Sequence, residues 1–289
     1  MYVEVGNFYY FLYFAIAIAI TVGLVLFLKH KDDKVKHNVI LFLLFSALVL
    51  HFAKLLFEPY NQMYPEIIRK VSFENICAIS TLVFPFIFLS KSKILKDYMI
   101  VMGIISGLAA YLYPTEAIFD TFDSIYFGMK GAFSFDVIRF YYAHLVIFLA
   151  PFLMGYFKLH EFKVKRLIYL PFTILLTLAI IYVNEVILLQ LGWIDANGFS
   201  DVNIRNSSFV FGIPDHYKKV AVIFDVFVFD FMKTNPFNGD LYYWPVIWLL
   251  FPAFIYAPVL AFLSNSPFII QNAIIKIKHN KKESHICNH

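Results

Sequence analysis

An all-α polytopic membrane protein of seven transmembrane helices, N-terminus outside and C-terminus inside, is the fold class this sequence predicts. Three observations predict it: composition, the number of long apolar runs, and the placement of Lys and Arg. The chain is 61% hydrophobic and only 15% charged, with a mean hydropathy of +0.71. Soluble domains carry about 25% charged residues, so a soluble protein of this composition would leave much of its Phe, Ile and Leu on its surface. The balance excludes a nucleic-acid-binding class and points to membrane lipids as partners. Thirty-five Phe and nineteen Tyr, with four Arg among 24 basic residues, also suggest an AT-rich genome. Codon bias does not create segmentation, and the segments are clear.

A span needs about 20 mainly apolar residues. Such runs occur at about 8–28, 38–57, 73–90, 97–113, 136–157, 167–190 and 243–263. The first lacks a basic leader and exceeds an h-region, so it is expected to remain as a helix. Summing Lys and Arg over alternate loops gives fifteen on one side and seven on the other, with Lys54 and Arg139 inside spans. Basic loops stay cytoplasmic, which places the N-terminus outside and requires an odd number of spans. Residues 1–263 are thus expected to form a single transmembrane domain and 264–289 a basic cytoplasmic tail, disordered over HNKKESHICNH at 279–289. The long outer loop, 191–242, contains VAVIFDVFVFDF, expected as an interfacial segment near 217–232. Pro151, Pro252 and Pro258 are expected to kink their spans.

Orientation assigns depths to the polar residues. In span two, His51, Lys54 and Glu58 repeat every three or four residues on one face of the outer third. Span three begins with Ser72 as a cap, then Glu74, Asn75 and, in its second turn, Cys77. Span four ends at YLYPTE, placing Glu116 outside. Span five carries Asp136, Arg139 and His144 in its outer half, and span six carries Asn184 and Glu185. The inner halves are almost bare of ionisable groups. Such groups are costly in a bilayer and usually face a bundle interior or wet cavity, so an outward-opening pocket is expected. Glu58, Asp136, Arg139 and Glu185 lie near enough to span ends to snorkel instead.

Cys77, near a helix N-terminus, stands where the dipole favours a thiolate, and a nearby imidazole would make it a nucleophile. His144 has a compatible depth. Buried free cysteines are also common as small, inert packing residues, and a lone membrane histidine can be an interhelical hydrogen bond. Cys77 and Cys287 fall on opposite sides of the membrane, so no disulfide is expected. The His-containing tail HNKKESHICNH suits anionic lipid better than metal. No motif implies a cofactor or a metal.

The order NICAIS, GLAAYLYP (107–114), FDVIRFYYAHLVIFLAPFLM (135–154) and NSSFVFGIP (206–214) resembles the YwaF-like bacterial integral membrane proteins, over roughly residues 35–263. The matching positions are Asn75, Ile76 and Cys77 at the head of span three, His144 and Pro151 in span five, and Asn206 to Pro214 before the last span. The resemblance implies seven spans. Through a eukaryotic branch regarded as lipid acyltransferases, it also implies acyl transfer by a cysteine and a histidine, here Cys77 and His144. His51, Lys54, Glu74, Asn75, Arg139, Asn184 and Asn206 are then the candidate substrate-binding residues. The alternative is a non-catalytic protein whose outward pocket binds or transports a small polar ligand or lipid headgroup. An unbroken polar path through the inner halves, which a transporter would need, is missing.

Overall fold

The computed structural model describes residues 1–58, 60–62, 67–114, 119–122, 125–196, 199–203 and 208–286. Among the described residues, six helices are long and apolar enough to cross a bilayer: Phe8–Leu28, Asp33–Leu56, Lys93–Leu112, Phe135–Tyr156, Val164–Gln190 and Ile247–Gln271. Helix α1 spans Phe8–Leu28, α2 Asp33–Ala53, the short α3 Ile67–Val71, α4 Ile76–Leu89 and α5 Lys93–Leu112. Helix α6 spans Phe135–Tyr156, α7 Leu170–Gln190, α8 Lys218–Asp225 and α9 Leu250–Ile286.

Polar side chains start these apolar helices. Asn7, Asp32, Asn75, Ser92 and Ser134 each accept a hydrogen bond from the backbone N–H three residues on, ahead of α1, α2, α4, α5 and α6. Each satisfies one N–H that the helix itself leaves open. Away from the bundle the helices stay apolar: Phe11, Ile18, Val22 and Leu26 of α1 are all exposed. Hydrocarbon is the solvent that such faces suit.

The expected third span is the departure. The helix begins at Ile76 rather than Phe73 and ends at Leu89, 14 residues in all. At 1.5 Å per residue that is about 21 Å, short of a hydrocarbon core of about 30 Å. Its cap is Asn75, not Ser72, and Cys77 therefore falls in the first turn, not the second. Two strands, β1 (Phe119–Phe122) and β2 (Ile125–Met129), pair antiparallel in the connection before α6, so the architecture is helical with one small hairpin. Pro151 and Pro258 lie inside α6 and α9, whereas Pro252 falls in the first turn of α9. A missing N–H costs nothing at that position. The chain after residue 263 continues α9 as a helix through Ile286, so the described part of HNKKESHICNH is helical and not disordered as expected. Cys287 lies outside the described residues.

The core is built around α5 and α6, the most extensively packed pair. Gly103 and Gly107 make the approach possible. A Cβ on Gly103 would fall 2.7 Å from the Ile147 carbonyl oxygen, and one on Gly107 would fall 2.7 Å from Phe148 Cβ and 2.9 Å from the His144 carbonyl oxygen. Small residues four apart let membrane helices touch along their backbones. Helix α1 joins through tyrosines: the Tyr13 ring stacks on Tyr141 at 3.9 Å, and its hydroxyl donates to the Ala132 carbonyl at 2.6 Å.

The opposite end of the bundle is less bare of charge than expected. Asp97 on α5 is buried and accepts from Arg166 Nε at 2.5 Å and Nη2 at 2.9 Å, with His160 Nε2 at 2.7 Å. This cluster ties the connection before α7 to α5.

Between residues 191 and 249 no described helix reaches span length. Helix α8 and the residues after it expose Val222, Val226, Phe229 and Phe231. The segment is held by Asp225, which accepts from Lys233 Nζ at 2.9 Å and the Tyr243 hydroxyl at 3.3 Å. Burial, reinforced by the Asp225 charge, pushes the Tyr243 phenol up to about 12, so it remains a donor.

Candidate functional site

A cavity of about 640 Å³ opens among α2, α4, α5, α6, α7, α8 and α9. Such a volume is ordinary for a small-molecule or cofactor site. Cys77 and His144, on α4 and α6, both line it. So do His51, Lys54, Glu74, Asn75 and Arg139. Asn184 does not: its Nδ2 donates to Ser72 Oγ at 3.0 Å, and it joins α7 to the chain ahead of α4. Asn206 and Glu116 lie outside the described residues.

Cys77 is half-buried in the first turn of α4. Its neighbours hold the turn closely. The Asn75 side chain accepts from Ala78 N–H at 2.8 Å, the Asn75 carbonyl accepts from Ile79 N–H at 3.0 Å, and Ser208 Oγ accepts from Ile76 N–H at 2.9 Å. Thr81 Oγ1 donates to the Cys77 carbonyl at 3.0 Å. The thiol therefore sits in the first turn of a firmly capped helix, at the positive end of its dipole.

Ser208 is a residue that sequence reasoning passed over. It and Phe209 are consecutive non-glycine residues at φ +53° and +66°. Left-handed conformations of this kind cost about 1–3 kcal/mol each and are held only where the surroundings over-determine them. Here the buried Trp248 does so, its Nε1 donating to the Phe209 carbonyl at 2.9 Å. The signal was the NSSFVFGIP segment, but a strained serine reaching a distant helix start has no linear signature.

His144 is buried, and its Nδ1 lies 2.8 Å from the Phe140 carbonyl oxygen, one turn back on α6. A carbonyl only accepts, so Nδ1 carries a proton, and in the neutral imidazole that leaves the lone pair on Nε2. This is the tautomer that a general base needs. Gly107 packs against the His144 carbonyl, so the α5 surface sets how far this residue stands from its neighbours.

Ion pairs crowd one end of the cavity. Arg69, 1% exposed, donates from Nε to both oxygens of Glu185 at 3.0 and 3.1 Å, and from Nη1 to Glu74 at 3.1 Å. Lys70 Nζ stands 3.4 Å from the same Glu74 oxygen. Glu185 is fully buried and Asp136 nearly so, so neither snorkels, whereas Glu58 is exposed as expected. Asp136 accepts from Arg139 Nη2 at 2.5 Å and Tyr60 Oη at 3.0 Å, and is also paired with Lys130.

The rest of the cavity is apolar. Pro252, Ala253, Tyr256, Val259, Leu260 and Leu263 of α9 line it. Their spacing marks one helical stripe, and eleven residues from Pro252 to Leu263 rise about 17 Å. That is close to half of a hydrocarbon core of about 30 Å, the depth of one leaflet. A site with charges at one end and a leaflet's depth of apolar wall at the other fits an amphiphile with a long chain.

The sequence model of the TMEM164 family matches residues 5–264, nearly the whole chain, and the chain belongs to that family of membrane proteins. Comparison with curated proteins gave no match. Comparison with solved structures likewise gave none.

Proposed function

From membership of the TMEM164 family and the contents of the cavity, we propose that this chain transfers acyl groups between membrane lipids, with Cys77 as nucleophile and His144 as general base. The observation that carries the reading is that the thiol and the correctly tautomeric imidazole line one cavity with an ionic end and a long apolar wall. His144 Nε2 takes the thiol proton as Sγ attacks an ester carbonyl of a phospholipid. The tetrahedral intermediate collapses to a Cys77 thioester, and the departing lysolipid oxygen takes the proton from Nε2. A hydroxyl on a second lipid then loses its proton to Nε2 and attacks the thioester. Sγ leaves and recovers that proton.

The reading keeps seven spans in one domain, with α4 as the short third span, the N-terminus outside, and the continuation of α9 in the cytoplasm of a bacterial cell. The short α4 supports it, since a span of about 21 Å can begin below the outer surface and so carry Cys77, in its first turn, at ester depth. Glu74, Asn75, His51 and Arg139 would contact the lipid's polar part.

Purified protein in nanodiscs with a labelled acyl-donor phospholipid should form a hydroxylamine-sensitive adduct and pass the label to a lysolipid. Cys77→Ala should abolish both. Unchanged transfer in Cys77→Ala overturns the proposal and leaves a binding site for a lipid headgroup or small polar ligand.

A further inference from the structure

The residues that line the cavity are not equally covered. Among the described ones, five are exposed: Ala109 on α5, Tyr113 at its end, Ile223 on α8, and Val259 and Leu263 on α9. The lining residues on α2, α4, α6 and α7 are all buried or half-buried. A residue that lines a cavity and is also exposed stands at its rim. The rim is thus carried by α5, α8 and α9.

The stripe on α9 tells the same story. Pro252, Tyr256, Val259 and Leu263 follow one another at helical spacing. They run along the border between a buried arc, with Ala253, Ala257 and Ala261, and an exposed arc, with Ile255 and Phe262. A cavity that follows such a border opens at the edge of the bundle, not along its axis. The gap is closed at both ends. Beyond Leu263, Phe268 is buried against Gly155 of α6, so closely that a Cβ on the glycine would fall 2.6 Å from the ring. At the other end α8 bridges α5 and α9. Tyr217, just ahead of α8, meets Tyr113 at 5.6 Å between ring centroids, and Tyr256 donates to the Ile223 carbonyl.

The chemistry of the rim tells what passes through it. Four of its five residues are aliphatic, and it continues into the exposed Leu108, Leu112 and Phe262 on the outer faces of α5 and α9. Contiguous exposed apolar surface marks contact with a membrane or a partner. Val259 lies at the middle of the apolar span Ile247–Gln271, a depth at which a bilayer holds acyl chains and not headgroups.

We infer that the gap between α5 and α9, beneath α8, is a lateral entrance through which the acyl chain of a bilayer lipid enters the cavity of Cys77. The inference rests on the lipid-transfer reading and adds the route by which the substrate arrives.

The route can be read without catalysis, from alkylation of Cys77 in nanodiscs in a Cys287→Ser background. Two maleimides are compared: N-dodecylmaleimide dissolved in the bilayer, and a sulfonated maleimide confined to water. Each rate is taken relative to that of a thiol-bearing phospholipid in the same nanodiscs. The dodecyl reagent should be favoured by about tenfold or more, because an apolar rim opposes a charged reagent. Ala109→Trp and Val259→Trp, both at exposed positions, should each slow the dodecyl reagent about tenfold, the order of effect of overfilling a fitted space. The sulfonated reagent should not change, and Ile18→Trp, on the exposed face of α1, should alter neither rate. An equal or faster reaction of the sulfonated reagent in the unmodified protein overturns the entrance, and this comparison needs no variant to fold. A dodecyl rate that neither rim tryptophan lowers overturns it as well. Thioester formation from a labelled phospholipid is measured separately. If it persists while the sulfonated reagent is favoured, only the entrance fails. If it is absent while the dodecyl reagent is favoured and the rim tryptophans block it, only the transfer reading fails.

Discussion

Two ionic groups flank the same cavity end, and they differ in what they join. Around Arg69 every charge is matched: both Glu185 oxygens and one Glu74 oxygen accept from the guanidinium. This group joins α3, Glu74 just before the α4 cap, and α7, and it holds the start of the Cys77 helix in place. Around Asp136, Lys130, Arg139 and the Tyr60 hydroxyl converge on one carboxylate, and Tyr60 and Arg139 also line the cavity. The first group ties three segments of the chain together, whereas the second presents its donors to the cavity.

The comparison can be broken at several points. The largest expected effect is Glu185→Gln, which leaves the buried Arg69 undercompensated. Removing one partner of a buried pair costs about 3–5 kcal/mol, so thermal unfolding in detergent should occur at a clearly lower temperature. A small change there would demote the Arg69 group to decoration. Next comes Gly107→Ala, where the new methyl meets Phe148 and the His144 carbonyl. Overpacking costs about 1–3 kcal/mol, and acyl transfer should fall by more than the lost stability explains, because His144 moves. Transfer reduced only in proportion to folded protein would deny the placement role. Asn75→Ala removes the α4 cap and should cost about 1 kcal/mol, with Cys77 alkylation slowing as the first turn frays.

Much of the fold was legible in the sequence, because a bilayer imposes length and hydropathy on each span separately. Six of the seven apolar runs became helices of spanning length, with ends moved by a few residues. The third was overestimated because Phe73, Glu74 and Asn75 adjoin an apolar run. Only the cap geometry shows that Asn75 lies before the helix. The α5–α6 approach was written in GIISG at 103–107, a glycine pair four apart that the hydropathy reading passed over. Depth alone brought Cys77, His144, His51, Lys54, Glu74, Asn75 and Arg139 to the same end of the bundle. Depth says nothing about rotation around a helix axis, and Asn184, at the same level, faces Ser72 instead of the cavity.

The sequence by itself determined that this is a multi-pass membrane protein with its polar groups gathered toward one end, since both properties depend on local composition and on charge counted between spans. Tertiary structure decided which of those groups share a cavity, that Glu185 and Asp136 are buried partners and not snorkelling ends, and that Ser208 reaches the helix of Cys77 from 132 residues away. These are long-range facts. They depend on how helices turn and lean against one another, which packing sets only once the whole bundle is assembled.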